Sequence, residues 1–375
     1  IVAGNVYGGK KDWAAKGDIS NNTVTIAGNT TIGGNVYGGD TVNRYASENT
    51  INILGGNIEG DVIGGSTNDG EAYNNTVNWK DGTIKGNVYA GTRYGEPYLG
   101  DDGVFNVYHN DNSDTKTIAK EKTFAGFKYV NFYTNNPDIP VLSIDEAPYY
   151  IPCLGAAIKN NVALQPGHSI KLMQANKDFS LDYLIDYYKT NTIDAEGYMP
   201  IYLSEISSIQ NVDNVITLTY QGFDESLDRV IFGGEEGTGY VKVAGDNLDN
   251  IKANDQKLNL DADSRNYFAA VGGFSKDEDV SGNKVTIDGA TVGKEDGAST
   301  TAIDEASFGN GDVYGGYALD AAKKASNNEV TWKSGDIKGN IYGGYVAGKA
   351  ITGENNILNV YHSSGSSSKT IAEGK

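Results

Sequence analysis

The chain has 375 residues, with 38% hydrophobic, 49 glycines, 25 tyrosines and only seven prolines. That mixture disfavours helix bundles, because glycine is costly inside helices while Val, Thr and Tyr suit pleated sheet, and regularly recurring apolar residues argue against disorder. A formal charge of −19 repels phosphate backbones and anionic lipid, which argues against nucleic-acid or membrane-surface partners.

From the first residues a word repeats. "GNVYGG" stands at Gly4 to Gly9 and Gly34 to Gly39, with "GDVIGG" at Gly60, "GNVYAG" at Gly86, "GDVYGG" at Gly311 and "GNIYGG" at Gly339. A second word precedes it: "NNTVTI" at Asn21, "ENTINI" at Glu48, "NNTVNW" at Asn74, "GNKVTI" at Gly282 and "NNEVTW" at Asn327. Between Val77, Trp79, Ile84 and Val88 the apolar positions form two short alternating runs around Asp81-Gly82. Alternation predicts strands, and the Gly and Asn punctuation predicts tight turns.

Two short strands and a loop cannot enclose a core alone, but stacked copies can. The predicted fold is therefore all-β, a parallel β-helix in two blocks separated by a β-rich irregular segment. Within the word, Val36 is expected to point inward, as are Val88 and Ile341. Asn35, Asn87 and Asn340 are expected to form a turn ladder in which each side chain bonds the backbone of its own or the next coil. Gly38-Gly39 and Gly343-Gly344 are expected to supply positive φ and close approach. Tyr37, Tyr89 and Tyr342 are expected to stack along the axis at a corner.

The first block is assigned to residues 1–122 and the intervening segment to 123–228. The latter carries antiparallel-looking strands such as "FKYVNFYT" and "VDNVITLTY", with a short helix at "FSLDYLIDYYK". The second block is 229–375, with "RVIFGG" re-entering the solenoid and "AAVGG" at Ala269 as a degenerate word. Residues 327–375 duplicate 74–122 without a gap at an offset of 253, placing His109 on His362 and Lys116 on Lys369. This predicts a parent protein tiled by such units. The sequence opens inside a repeat word without an initiator Met or signal peptide, as a processed piece would.

The succession of "NNTVTI…GGNVYGG", "FAGFKYVNFY" and "LQPGHSIKLMQA" resembles the passenger regions of large Gram-negative autotransporters, the type V secreted adhesins. The resemblance covers nearly the whole chain and implies a surface-exposed or secreted stalk with adhesive character. Departures are Pro166-Gly167-His168, where that family has a Gly-Asp pair, and the lack of an outer-membrane barrel after the repeats.

Catalytic constellations were sought as well. Among His109, His168 and His362, the first and last are repeat copies, which points to structure rather than to a unique base. No singular pair of acids marks a polysaccharide lyase or glycosidase, so no enzyme, cofactor or catalytic residue is expected, and a β-helix polysaccharide enzyme stands third. The acidic loops at Tyr98, Asn110 and Gly233 are calcium candidates in oxygen content but read better as solvated loops. Cys153 reads as a small buried hydrophobe.

The leading expectation is a rod-like structural and adhesive module, at the cell surface or secreted, meeting a host or bacterial surface protein or glycan. The alternative is a self-assembling extracellular filament or surface-layer protein joined end to end. Direct membrane insertion is not expected of this segment. In the loops Asp40–Glu48 and Thr92–Gly103, Tyr45, Arg93, Tyr94 and Tyr98 are the candidate contact residues.

Overall fold

The computed structural model describes residues 1–12, 17–99, 102–188, 193–295, 297–348 and 353–361. It is all-β with essentially no helix, a parallel β-solenoid of about 12 turns. The chain divides into two compact units. The first comprises 1–158, 162–193 and 200–223, and the second 159–161, 194–199 and 224–375.

In the first unit the copies of each word lie side by side in register. Val6, Val36, Val62 and Val88 are successive partners in one parallel sheet, and Phe124 continues the row beside Val88. The second word builds another parallel sheet, pairing Thr23–Ile26, Thr50–Ile58, Thr76–Ile84 and Val104–Tyr108 in turn. Alternation decides which residues enter the core. Ile51, Ile53, Val77, Val88, Phe105 and Val107 are fully enclosed, each contributing about 1.5–3 kcal/mol on burial.

The second unit repeats the arrangement. Ile231 pairs with Ala270, Ala270 with Val313 and Val313 with Ile341, so "VIFGG" and "AAVGG" both occupy the word position. Leu258, Val285, Val330 and Leu358 form the corresponding row in the other sheet.

Three asparagine ladders run along the coils. In the word, the Asn35 amide donates to Asn5 Oδ1 (2.8 Å) and the Asp61 amide to Asn35 Oδ1 (2.8 Å). The Asn87 amide then donates to Asp61 Oδ1 (2.7 Å) and the Asn340 amide to Asp312 Oδ1 (2.7 Å). On a strand face, Asn78 Nδ2 donates to Asn52, Asn106 to Asn78 and Asn131 to Asn106, at 2.7–2.9 Å.

The third ladder is buried. Asn49 is fully enclosed; its amide and its Nδ2 both donate to Asn75 Oδ1 (3.0 and 3.1 Å), and Nδ2 also reaches the Ile19 carbonyl. Asn283, Asn328 and Asn356 repeat the pattern in the second unit. The residue ahead of each member turns the corner at positive φ: Asn21, Glu48, Asn74, Gly282, Asn327 and Asn355.

This ladder explains the paired glycines. A Cβ on Gly38 would stand 2.8 Å from Asn49 Cβ, and one on Gly39 2.8 Å from Asn49 Nδ2. Gly343 and Gly344 face Asn356 equally closely, at 2.7 Å each. The expectation of positive φ at Gly38-Gly39 and Gly343-Gly344 is corrected. None of the four is in the left-handed region. Gly38 and Gly39 lie within the strand Val36–Thr41, and space alone demands them.

One turn exchanges both partners. Ala90 replaces the first glycine and Gly103 stands where the asparagine would be, with Ala90 Cβ 2.9 Å from the site of a Gly103 Cβ. A methyl group on one side is balanced by an absent side chain on the other.

Val36 is fully buried. Tyr37 is half-buried and stacks on Tyr7 with ring centroids 4.9 Å apart, and Tyr342 stacks on Tyr314 at 5.0 Å. In the first unit Ile63 sits between Tyr37 and Tyr89, so that aromatic stack is interrupted.

The antiparallel reading of the middle segment is corrected in part. Tyr129–Thr134 and Ile151–Lys159 continue the parallel sheet beyond Val104–Tyr108, so coils do not stop at residue 122. Antiparallel pairing is confined there to Ser169–Ala175, Val215–Tyr220 and Ile206–Val212. Only Leu181–Leu184 of "FSLDYLIDYYK" is helical, and Ile185–Tyr188 is strand.

Gly103→Asn alone is expected to overpack against Ala90 and cost about 1–3 kcal/mol. Ala90→Gly combined with Gly103→Asn is expected to regain most of it by restoring the pairing of the other turns, as chemical denaturation of the four-member cycle would measure.

Candidate functional site

Three loops of the first unit stack where the word strands end. The amides of Asn68 and Asp69 donate to the Val42 carbonyl, Thr67 Oγ1 to the Arg44 carbonyl (3.0 Å), and the Tyr94 amide to the Thr67 carbonyl (3.0 Å). Residues 40–48, 66–75 and 92–99 therefore form one continuous edge of the solenoid.

The last of them is a tight hairpin. Thr92 pairs with Pro97 and Arg93 with Glu96, leaving Tyr94-Gly95 as the two-residue turn. Both central residues have positive φ, +53° and +81°, the signature of a type I′ turn. Asn-Gly is the usual occupant; tyrosine is not, since side chains other than Asn and Asp rarely adopt that region. Tyr94 is nevertheless placed at the tip, 66% exposed. Its hydroxyl donates to Asp69 Oδ1 (3.3 Å), and the Arg93 guanidinium lies 5.9 Å from its ring centre. Arg93 Nε is buried and has no hydrogen-bond partner among the described residues.

Tyr45 is 42% exposed and meets Tyr73 edge-on at 5.8 Å. Tyr98 is half-buried, its amide tied back to the Gly91 carbonyl (2.9 Å). Sequence reasoning chose these loops for their variability; the hairpin type and the backbone strain under Tyr94 were not read from it.

The other candidates have structural surroundings. His109 is buried, with Nε2 3.2 Å from the Pro140 carbonyl and Nδ1 3.1 Å from Thr134 Oγ1. Burial holds its pKa below the ordinary 6.5, partly countered by the Pro140 carbonyl. His362 lies outside the described residues. His168 Nε2 is 3.3 Å from Asp138 Oδ1 at the surface. Cys153 is a buried free thiol in a strand.

In the Asn110 loop, Asn110 Oδ1 accepts from the amides of Asn112 and Asp114. In the Gly233 loop, the amides of Glu235, Glu236 and Thr238 donate to the Glu196 carboxylate. Gly100 and Asp101 of the Tyr98 loop lie outside the described residues. Among the described residues no three His, Cys, Asp or Glu side chains converge as a metal would require. No described helix is long and apolar enough to cross a membrane.

The His109 environment sets a pH dependence. A folded-state pKa below the unfolded value means that the unfolded chain binds the proton first. Stability should therefore fall as pH drops below about 6.5, before most carboxylates titrate. Replacing His109 by Gln should remove that slope, as urea unfolding midpoints between pH 7 and pH 5 would show. Compared with protein-family models, with curated proteins and with solved structures, the chain matches none.

Proposed function

We propose that the chain is a structural and adhesive module of an autotransporter-like adhesin, displayed at a cell surface or secreted, whose stacked loop edge meets a protein or glycan partner. One observation carries this reading. An exposed tyrosine is held at positive φ on a hairpin tip, beside an arginine whose Nε is unsatisfied. Backbone strain at an exposed aromatic detracts from stability and is understandable where the side chain makes a contact. Tyr and Arg are also the residues that most often anchor interfaces. The acidic body fits a long, soluble extracellular repeat, and the ladders give each loop a fixed register on a rigid scaffold.

A second reading, self-assembly into an extracellular filament, draws on a different feature. Ile357, Leu358, Val360 and Tyr361 are all about half exposed, and Ile357–Val360 is hydrogen-bonded on one side only among the described residues. Such an edge invites strand pairing. Sedimentation velocity across a concentration range separates the two readings, since an adhesive module binds as a monomer and a filament lengthens.

Tyr94→Asn gives the turn its preferred residue and should raise stability by about 1 kcal/mol. The same change should weaken attachment to intact cells about tenfold or more. Equal attachment by the variant would remove the hairpin from the adhesive reading.

A further inference from the structure

A cavity of about 260 Å³ opens in the first unit between two successive coils, away from the Tyr94 hairpin. It is lined by Trp79, Asp81, Thr83, Asn110, Asp114, Thr115 and Lys116 among others. The Asp81-Gly82 turn forms one wall, fixed where the Trp79 indole donates to the Gly82 carbonyl (3.2 Å). The other wall is the 110–117 loop. Asn110 Nδ2 is shared between Asp114 Oδ2 (2.9 Å) and Asp81 Oδ1 (3.4 Å), holding the two carboxylates around one edge.

Lys116 is the unusual member. Its side chain is only 4% exposed, and its ion-pair partner among the described residues is Asp81, 3.7 Å away and beyond hydrogen-bond distance. Burial pulls its pKa below the usual lysine value, with Asp81 and Asp114 opposing. A buried ammonium has three donors to satisfy, and here it lines an open polar space.

The copy of this region in the second unit shows what the fold itself requires. Trp79, Gly82 and Lys116 recur as Trp332, Gly335 and Lys369, while Asp81, Asn110 and Asp114 are replaced by Ser334, Ser363 and Ser367. Trp332 makes the same indole bond, to the Gly335 carbonyl (3.0 Å). The turn therefore forms without the aspartate, and the acid–amide–acid set is particular to the first copy.

The combination selects a ligand by chemistry. An anion would meet two carboxylates, and a cation would meet the lysine with too few oxygens for calcium. A neutral polyol both donates to carboxylates and accepts from an ammonium. The volume lies below the ~300–1,000 Å³ of pockets for drug-sized ligands, which suits a single ring. We propose that this cavity binds one neutral sugar residue, Asp81 and Asp114 accepting from its hydroxyls and Lys116 donating to them.

Saturation-transfer NMR on the full chain tests this with methyl glycosides of glucose, galactose, mannose and N-acetylglucosamine. At least one should receive saturation. Its signal should fall about fivefold or more in Asp81→Ser and in Asp114→Asn. Asp81→Ser installs the residue carried by the second copy, so a lost signal with unchanged circular dichroism cannot be ascribed to misfolding. Silence from all four glycosides overturns the proposal. So does a signal that survives both substitutions, or one abolished by equimolar calcium or acetate. The cavity and the Tyr94 hairpin do not share residues, so loss of glycoside binding and loss of cell attachment are separately observable.

Discussion

The structure depends on one amide side chain per coil being buried against a shelf of two glycines. A buried asparagine is tolerable only when its donors and acceptor are used, since an orphaned group costs about 1–3 kcal/mol. Asn49 meets that condition solely because Asn75 and the Ile19 carbonyl stand one coil to either side. The side chain also needs floor space, which Gly38 and Gly39 provide by lacking Cβ atoms. The two recurrent words are thus the two halves of one contact. Each coil satisfies its neighbour, so the ladder is stable as a row and costly to interrupt.

Hydrophobic burial supplies most of the stabilisation but little of the specificity. Rows such as Val24, Ile51, Val77 and Phe105 would pack acceptably if one coil slid by two residues. A slip by one residue would turn every apolar side chain outward. The asparagine rows forbid both, because an amide displaced by two residues meets an aliphatic side chain or solvent instead of its partner. Register is therefore set by polar groups and stability by apolar ones. Three parallel ladders at different points of the coil leave little freedom to twist.

The solenoid and the inward place of Val36 and Val88 were legible because period and alternation are written directly in the chain. The Asn35 ladder was legible for the same reason. The contact between Gly38 and Asn49 was not, because it joins different words across a turn and glycine's two uses look alike in sequence. Positive φ belongs instead to Asn21, Glu48 and Asn74 at the corners. The coils at Tyr129–Thr134 and Ile151–Lys159 were missed because neither carries the Gly-Gly word, Ala156 and Ala157 filling that stretch of the latter. For the candidate sites, Tyr94 could be chosen as a loop residue, but its turn type rests on strand pairing across Thr92 and Pro97. The Lys116 cavity brings together residues from two coils, and no local pattern joins Asp81 to Lys116.

The duplicated region separates positions that the fold uses from those it leaves open. Trp79, Gly82 and Asn106 recur as Trp332, Gly335 and Asn359, and each has a structural task on the page: an indole bond, a positive φ at Gly82, a rung of the strand-face ladder. Asp81 and Tyr94 correspond instead to Ser334 and Ala347, and both point away from the core. Where a coil departs from its own copy without compensation, the departing side chain is free of the packing that binds the rest. Ala90 and Gly103 depart together because packing still couples them. Tyr94 departs alone into a strained turn that an alanine counterpart does not need. A repeat scaffold of this kind carries its chemistry in such uncompensated differences, because every compensated one is already accounted for by the requirement that neighbouring coils fit.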